Sequence, residues 1–238
     1  MKRICIIKTG STFSETRQRY KDFEEWIADK LEPARSEVFT VDLQAGEALP
    51  HLEVCDGVIV TGSHSMVTDE EAWSRRTAQW LSDAVKKEIP LLAICYGHQL
   101  LAKALGGVSG YHPKGIEIGT VEIDVTDDAG DDPLFGDLPK RFKAHTIHSQ
   151  TVLSLPADAV RLAFNAHDEN HAFRIGKKAW GVQFHPEFNK AVMKAYIEEV
   201  SNSEISVKKR KAALLEASEE TPQATALLKR FEKIVNAS

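Results

Sequence analysis

The stretch Pro90 to Gly107, PLLAICYGHQLLAKALGG, joins an apolar run to a helical pattern with no loop between them. Leu91-Leu92-Ala93-Ile94 follows a proline and carries no polar side chain, the pattern of a strand buried on both faces. From Tyr96-Gly97-His98-Gln99 onward the chain turns helical. Leu100, Leu101, Ala104 and Leu105 share one side, and Gly106-Gly107 closes the helix as a C-terminal cap does. Cys95 is the residue between strand and helix. A side chain on such a turn is expected to stand exposed at the top of a sheet, and the helix N-terminus behind it favours an anion, biasing a cysteine toward thiolate. The competing reading is an inert, small hydrophobe at a strand end. A base elsewhere in the chain decides between them.

The remaining chain extends this one unit into a fold class. Arg3–Lys8 reads as a first strand ending at Thr9-Gly10, Glu37–Val41 as a second and Asp56–Val60 as a third, running into Thr61-Gly62-Ser63-His64. Helical patterns alternate with them. One starts at a capping box of Thr12 and Glu15 and continues through Tyr20, Phe23, Trp26, Ile27 and Leu31; another is capped by Thr68 and Glu71 and turns Trp73, Trp80, Leu81, Ala84 and Val85 inward. Such alternation predicts a largely parallel sheet with helices on both faces. After Gly107, Ile116–Val125 alternates strictly, as a half-exposed antiparallel strand does. An acidic loop at Asp127–Gly136 carries Pro133-Leu134-Phe135. Strand patterns follow at Ala144–Ile147, Val160–Ala166, Ala172–Ile175 and Ala179–Phe184, then a helix from about Lys190 to Val200.

The segment 201–238 is charged, alanine-rich and free of glycine. Thr221 with Pro222 marks a helix start, and Ala224, Leu227, Leu228, Phe231, Ile234 and Val235 form an apolar stripe. The expected organisation is therefore one domain over 1–200 and a C-terminal helical extension, 201–238, packed on it.

Composition excludes several functions. The net charge is −5, and the basic run Lys208-Lys209-Arg210-Lys211 reads as a solvated helix face, so no nucleic-acid footprint is present. No apolar run approaches a membrane span, and MKRICIIKTG reads as a first strand and not a signal peptide. Cys5, Cys55 and Cys95 are odd in number and far apart, which suits a reducing compartment; a cytoplasmic location is expected.

Of nine histidines, His185 stands out as the base. It ends a predicted strand, where open α/β sheets place their sites, and Glu187 two residues on points the same way in an extended segment. Pro186 between them fixes the local geometry. A carboxylate on one ring nitrogen leaves the other free for a thiol proton. His98 is expected to face solvent or the helix end, and His51, His64, His112, His167 and His171 to lie in loops or beside turns. Neither H-E-x-x-H nor C-x-x-C occurs, so a metal is not expected; the remaining candidate set is His145 and His148 with a carboxylate.

Ala93-Ile94-Cys95-Tyr96-Gly97-His98-Gln99 followed by Gly181-Val182-Gln183-Phe184-His185-Pro186-Glu187 strongly resembles class I glutamine amidotransferases, above all the amidotransferase part of GMP synthase and its stand-alone relatives. The resemblance covers roughly the first 200 residues. It implies a flavodoxin-like three-layer α/β/α fold with a small antiparallel addition. It also implies Cys95 as nucleophile, His185 as general base and then acid, Glu187 as its orienter, and no cofactor. The backbone N–H groups of Gly62 and Tyr96 would form the oxyanion hole. Ser63 and Gln99 would help hold substrate, and His148-Ser149-Gln150 would bind its α-amino and α-carboxylate groups. The chain departs from the family at Ala93, where glycine is frequent, in the loop Thr-Gly-Ser-His-Ser, and in His-Ser-Gln, where an acidic residue commonly follows. No Ser-Gly-Gly-x-Asp-Ser loop follows, so GMP synthesis by this stretch alone is not expected.

The chemistry so implied is a γ-glutamyl thioester on Cys95, releasing ammonia and then glutamate, with the ammonia passed to a separate synthetase chain. A γ-glutamyl peptidase acting on glutathione-like peptides would use the same thioester. A non-catalytic regulatory protein on this scaffold is the reading from another class.

Overall fold

The computed structural model describes residues 1–32 and 34–238. In chain order its strands are β1 (Lys2–Lys8), β2 (Ser36–Asp42), β3 (Gly57–Val60), β4 (Leu91–Ile94), β5 (Val108–Tyr111), β6 (Glu117–Val125), β7 (Arg141–His148), β8 (Gln150–Ser154), β9 (Ala159–Phe164), β10 (Ala172–Ile175) and β11 (Ala179–Val182). The helices are α1 (Ser14–Tyr20), α2 (Phe23–Ala28), α3 (Ala72–Lys86), α4 (Tyr96–Ala104), α5 (Lys190–Ser203), α6 (Ile205–Lys208), α7 (Lys211–Ala217) and α8 (Pro222–Asn236). A nine-stranded sheet runs in the order β2-β1-β3-β4-β11-β10-β9-β6-β7. The pairings from β2 to β11 are parallel, and those from β11 to β7 are antiparallel. The antiparallel addition is thus continuous with the main sheet. A separate two-stranded sheet pairs β5 with β8.

Strand periodicity explains the layers. Along β1, Ile4 and Ile6 face one side with Ile59 and Leu92, while Cys5 and Ile7 face the other with Val58 and Leu91. The first face is covered by α2 and by Ala224, Leu227, Leu228, Phe231 and Val235 of α8; the second is covered by Leu81 and Ala84 of α3 and Leu100 and Leu101 of α4. The apolar stripe of the tail is therefore one covering layer of the sheet. Phe231 is fully buried beside the Trp180 ring, 6.4 Å between centroids. Phe231→Ala is expected to cost about 3–5 kcal/mol, read as a lowered denaturation midpoint at unchanged slope.

Several local expectations shift. The helix expected from Thr12 is two helices, α1 without a side-chain cap and α2 with a capping box of Asp22 and Glu25. Lys21 at φ 72° separates them, and the Thr12 hydroxyl instead meets the Tyr196 hydroxyl at 2.7 Å. Thr68 lies in a 3-10 turn, Val67–Asp69, ahead of α3. Thr221 occupies the N-cap of α8 with Pro222 in its first turn but makes no side-chain cap bond. The basic run Lys208–Lys211 spans a break between α6 and α7. The acidic loop is pinned by Asp132, which caps Leu134 and Phe135 and takes hydrogen bonds from Arg174 and Trp180, so that Leu134 and Phe135 join the core. No helix among the described residues is long and apolar enough to cross a membrane.

Candidate active site

The site forms where β3, β4 and β11 end side by side. Cys95 follows β4 directly and stands at the N-cap of α4 with φ 50° and ψ −99°. That is the left-handed half of backbone space, an unfavourable conformation for a residue with a Cβ, of the kind held by its surroundings at functional positions. Here the hold is visible: the Cys95 N–H donates to the Val182 carbonyl at 2.8 Å, and Tyr96 to Ala102 are all buried beneath it. Ala93 lies within β4 without a positive φ, so the methyl group is accommodated. Cys95 itself is buried, 7% exposed, and opens onto a cavity; the expectation of an exposed side chain is corrected to a nearly enclosed one.

β11 delivers Phe184 and His185. His185 Nδ1 is 2.7 Å from Glu187 Oε1, which keeps a hydrogen on Nδ1, and Nε2 has no hydrogen-bond partner among the described residues. The ring is stacked on Phe188, 4.2 Å between centroids, with Phe23 on a parallel plane at 6.2 Å. Burial opposes its positive charge, but Glu187 and the Cys95 sulfur outweigh that cost and raise its pKa to about 10. The Cys95 Sγ also lies 3.6 Å from the Ile147 carbonyl.

Gly62 comes from the loop after β3. Thr9 Oγ1 donates toward the carbonyls of Thr61 and Gly62, both at 3.0 Å, so the trans peptide between these two residues turns the Gly62 N–H away from Thr9. A Cβ on Gly62 would come 3.0 Å from His185 Cε1 and 3.7 Å from Cys95 Cβ. Only glycine lets the loop approach both groups. Gly62→Ala is expected to displace the His185 ring and lower kcat by on the order of 10²–10³-fold with little change in far-ultraviolet circular dichroism.

A cavity of about 270 Å³ adjoins Cys95 and His185 and is lined by Ser63, Tyr96, Gln99, His148, Ser149 and Gln150. Their polar groups differ in availability. The Tyr96 hydroxyl is committed to Ser74 at 2.6 Å and burial pushes its pKa up to about 12. Ser63 Oγ donates to the Thr9 carbonyl at 3.0 Å. Gln99 uses its amide donors on the Gln150 carbonyl, 2.7 Å, and Gln183 Oε1, 3.0 Å. Gln150 Nε2 meets Thr68 Oγ1 at 2.6 Å, which leaves its Oε1 a buried acceptor without a partner among the described residues. His148 turns its ring away from the cavity, with Nδ1 2.9 Å from the Gln150 carbonyl and Nε2 3.0 Å from Glu117 Oε2.

Sequence patterning missed the aromatic wall. Phe13, Phe23, His64 and Tyr196 line the same cavity, His64 lying 4.3 Å from Phe13 between ring centroids and 3.4 Å from the Tyr196 hydroxyl at its Nε2. Burial and the nearby His185 lower the pKa of His64. An aromatic stripe at helical spacing carries no mark that separates core from cavity; only the position of His64 right after Gly62-Ser63 was a signal. His98, expected at solvent, is fully buried against Phe173, and burial lowers its pKa to about 3. His145 and His148 do not share ligands. His145 meets Thr120 Oγ1 at 3.1 Å, while His148 joins Glu117 and His171.

Fold and site together define an α/β protein with a cysteine elbow and a histidine–carboxylate pair at the carboxyl ends of parallel strands. The chain belongs to the glutamine amidotransferase class-I family, whose model matches residues 18–201. It is 31% identical over 191 residues to gamma-glutamyl peptidase 5 of Arabidopsis thaliana, covering 76% of this chain and 75% of that protein. It is 37% identical over 142 residues to a glutamine-hydrolysing GMP synthase of Aeropyrum pernix, covering 60% of this chain and 25% of that protein. The crystal structure of a glutamine amidotransferase from Thermotoga maritima superposes with a TM-score of 0.79 at 27% identity, over 100% of this chain and 99% of that one.

Proposed function

We propose that this chain hydrolyses a γ-glutamyl amide through a thioester on Cys95. The observation that carries the reading is the convergence of the elbow cysteine, the Glu187-bonded His185 and the glycine backbone of residue 62 around one cavity. The Cys95 thiolate attacks the δ-carbonyl carbon of the substrate, and charge on its oxygen is met by the Gly62 and Tyr96 N–H groups. His185 protonates the leaving amine from Nε2, then takes a proton from the water that cleaves the thioester to glutamate. Glu187 holds the ring in the tautomer this needs. Gln150 Oε1 accepts from the substrate α-amino group, with Ser63 and Ser149 beside it, whereas Gln99 and His148 brace the loop from behind.

Glutamine is the first substrate reading, with its ammonia delivered to a separate synthetase. The cavity falls at the small end of ligand pockets. A second reading, a γ-glutamyl peptidase, draws support from the Arabidopsis relative, which aligns over three quarters of both chains, and from the way the cavity extends along Ile116 and Val200 to Glu204. Incubating the purified chain separately with glutamine, γ-glutamyl dipeptides and glutathione, and measuring ammonia and glutamate, separates the two. Ammonia from glutamine supports the first; glutamate from peptides alone supports the second. Turnover of neither, alone or with a synthetase, removes both and favours a regulatory protein.

A further inference from the structure

Behind His148, on the side turned away from the cavity, four polar side chains from separate parts of the chain meet in the interior. Glu117 opens β6, His148 ends β7, Asp168 lies in the loop after β9, and His171 precedes β10. His171 is fully buried, Asp168 is 1% exposed, and Glu117 and His148 are also buried. Glu117 Oε2 is 3.0 Å from His148 Nε2 and 3.0 Å from His171 Nε2, and Asp168 Oδ2 is 4.0 Å from His148 Nε2. One ligand atom from each of Glu117, His148 and His171 lies within 4.8 Å of the others.

The hydrogen bonding of His148 sets the tautomer. Its Nδ1 is 2.9 Å from the Gln150 carbonyl, which can only accept, so Nδ1 carries a hydrogen. A neutral ring then presents a lone pair at Nε2 to a carboxylate oxygen, two acceptors facing each other across 3.0 Å. Something positive must lie between them: a proton on the ring or a metal ion. His171 points to the second. Its Nε2 lies at hydrogen-bond distance from the same oxygen but off the N–H···O line, and neither ring nitrogen has a hydrogen-bond partner among the described residues. Two ligands of one ion stand in this way, each aimed at a shared centre rather than at the other. Tetrahedral bonds of about 2.0–2.1 Å place ligand atoms about 3.3 Å apart, close to the two 3.0 Å separations from Glu117 Oε2.

The outer partners of His148 and of the carboxylates match as well. Metal-ligating histidines commonly donate their other N–H to a backbone carbonyl, and ligating carboxylates are anchored at their free oxygens. Asn165 Nδ2 donates to Glu117 Oε1 at 2.8 Å, the Asn170 N–H donates to Asp168 Oδ1 at 2.8 Å, and the Thr151 hydroxyl contacts Asp168 Oδ2. One dication would balance the two buried carboxylates with both imidazoles neutral.

We propose that Glu117, His148 and His171 form a three-ligand binding site for a first-row divalent metal ion of the zinc class, with Asp168 as a nearby balancing carboxylate and the fourth position left to water. An all-nitrogen-and-oxygen set with two imidazoles suits zinc, cobalt or iron(II) better than calcium or magnesium. The ion ties β6, β7 and the approach to β10 together and sets the position of residues 148–150, whose other side lines the cavity. Its role is positional: His148 stands between it and the cavity holding Cys95. The inference stands whether or not the chain hydrolyses γ-glutamyl amides.

The test uses the full chain carrying Cys95→Ala, which removes the cavity thiolate as a rival ligand. The protein is stripped with chelator, then titrated with cobalt(II) and followed by visible absorption and thermal melting. Expected are uptake of one equivalent, the d–d bands of a four-coordinate site without a sulfur charge-transfer band, and a raised melting temperature. His171→Gln, which keeps a donor for Glu117, and Glu117→Gln should each weaken binding by on the order of 100-fold or more, beyond the loss of an outer-shell partner. The stripped protein's own melting transition shows whether each variant folds. No uptake by the stripped chain, a sulfur charge-transfer band from Cys5 or Cys55, or equal binding by either variant would overturn the proposal.

Discussion

On the proposed thioester mechanism, Cys95→Ala is expected to reduce γ-glutamyl hydrolysis by on the order of 10⁴-fold or more, because deleting the nucleophile of a covalent mechanism removes nearly the whole contribution of the residues acting with it. Stability should change little. Alanine keeps the Cβ that the φ of 50° already accommodates, and the sulfur's contact with the Ile147 carbonyl, at 3.6 Å, is weak. The comparison separates chemistry from folding: kcat falls while the melting temperature holds. Alkylation by a glutamine-like chloroketone should go to Cys95 in the wild type and vanish in the variant. Labelling at Cys5 or Cys55, both buried in the core, would place the reactive thiol elsewhere.

The second large effect is at Glu187. Glu187→Gln retains an acceptor for His185 Nδ1 at the 2.7 Å contact but removes the charge. A loss of about 10²–10⁴-fold in kcat/KM is expected, the range for disabling a positioned acid–base group. The pH dependence carries a sign. His185 is raised from 6.5 to about 10, against burial, by Glu187 and Cys95, so its charged form stabilises the fold. That contribution is complete below about pH 6.5 and is lost as pH rises through about 10. Without the carboxylate the folded pKa drops. The stability gap between wild type and variant should therefore narrow over that interval, and the alkaline limb of the activity profile should move to lower pH in the variant. An unmoved limb would assign the titration to another group.

Legibility followed how local each feature is. The elbow could be read because Leu91–Ile94, Cys95 and Tyr96–Leu105 are contiguous, and a strand running straight into a helix leaves one residue at the turn. His185 and Glu187 meet through an i, i+2 relation, so their contact needs no tertiary information beyond an extended backbone. The alternation of apolar runs gave the fold class for the same reason, since residues 4 and 6 must face away from 5 and 7 in any strand.

Other features escaped because several chain segments share in them. Thr12 and Glu15 have capping-box spacing, but the capping box that forms belongs to the buried Asp22, which also holds Lys8 at 3.0 Å and caps the second helix, α2. His98 sits on a helix whose first turns are wholly buried, so its position could not be judged from its own neighbours. β5 and β8 are too short to show a period, and they exist because each supplies the other's hydrogen bonds.

The sequence by itself determined the parallel α/β half, the cysteine at its turn and the histidine–carboxylate pair at a strand end, because these rest on periodicity and short spacings. Only the tertiary structure decided that Cys95 is enclosed, that aromatic side chains from three segments wall its cavity, and that Glu117, His148, Asp168 and His171 meet behind it. Those are juxtapositions of residues up to 183 positions apart. They depend on how the antiparallel strands register and on what their burial excludes, and one-dimensional spacing holds no record of either.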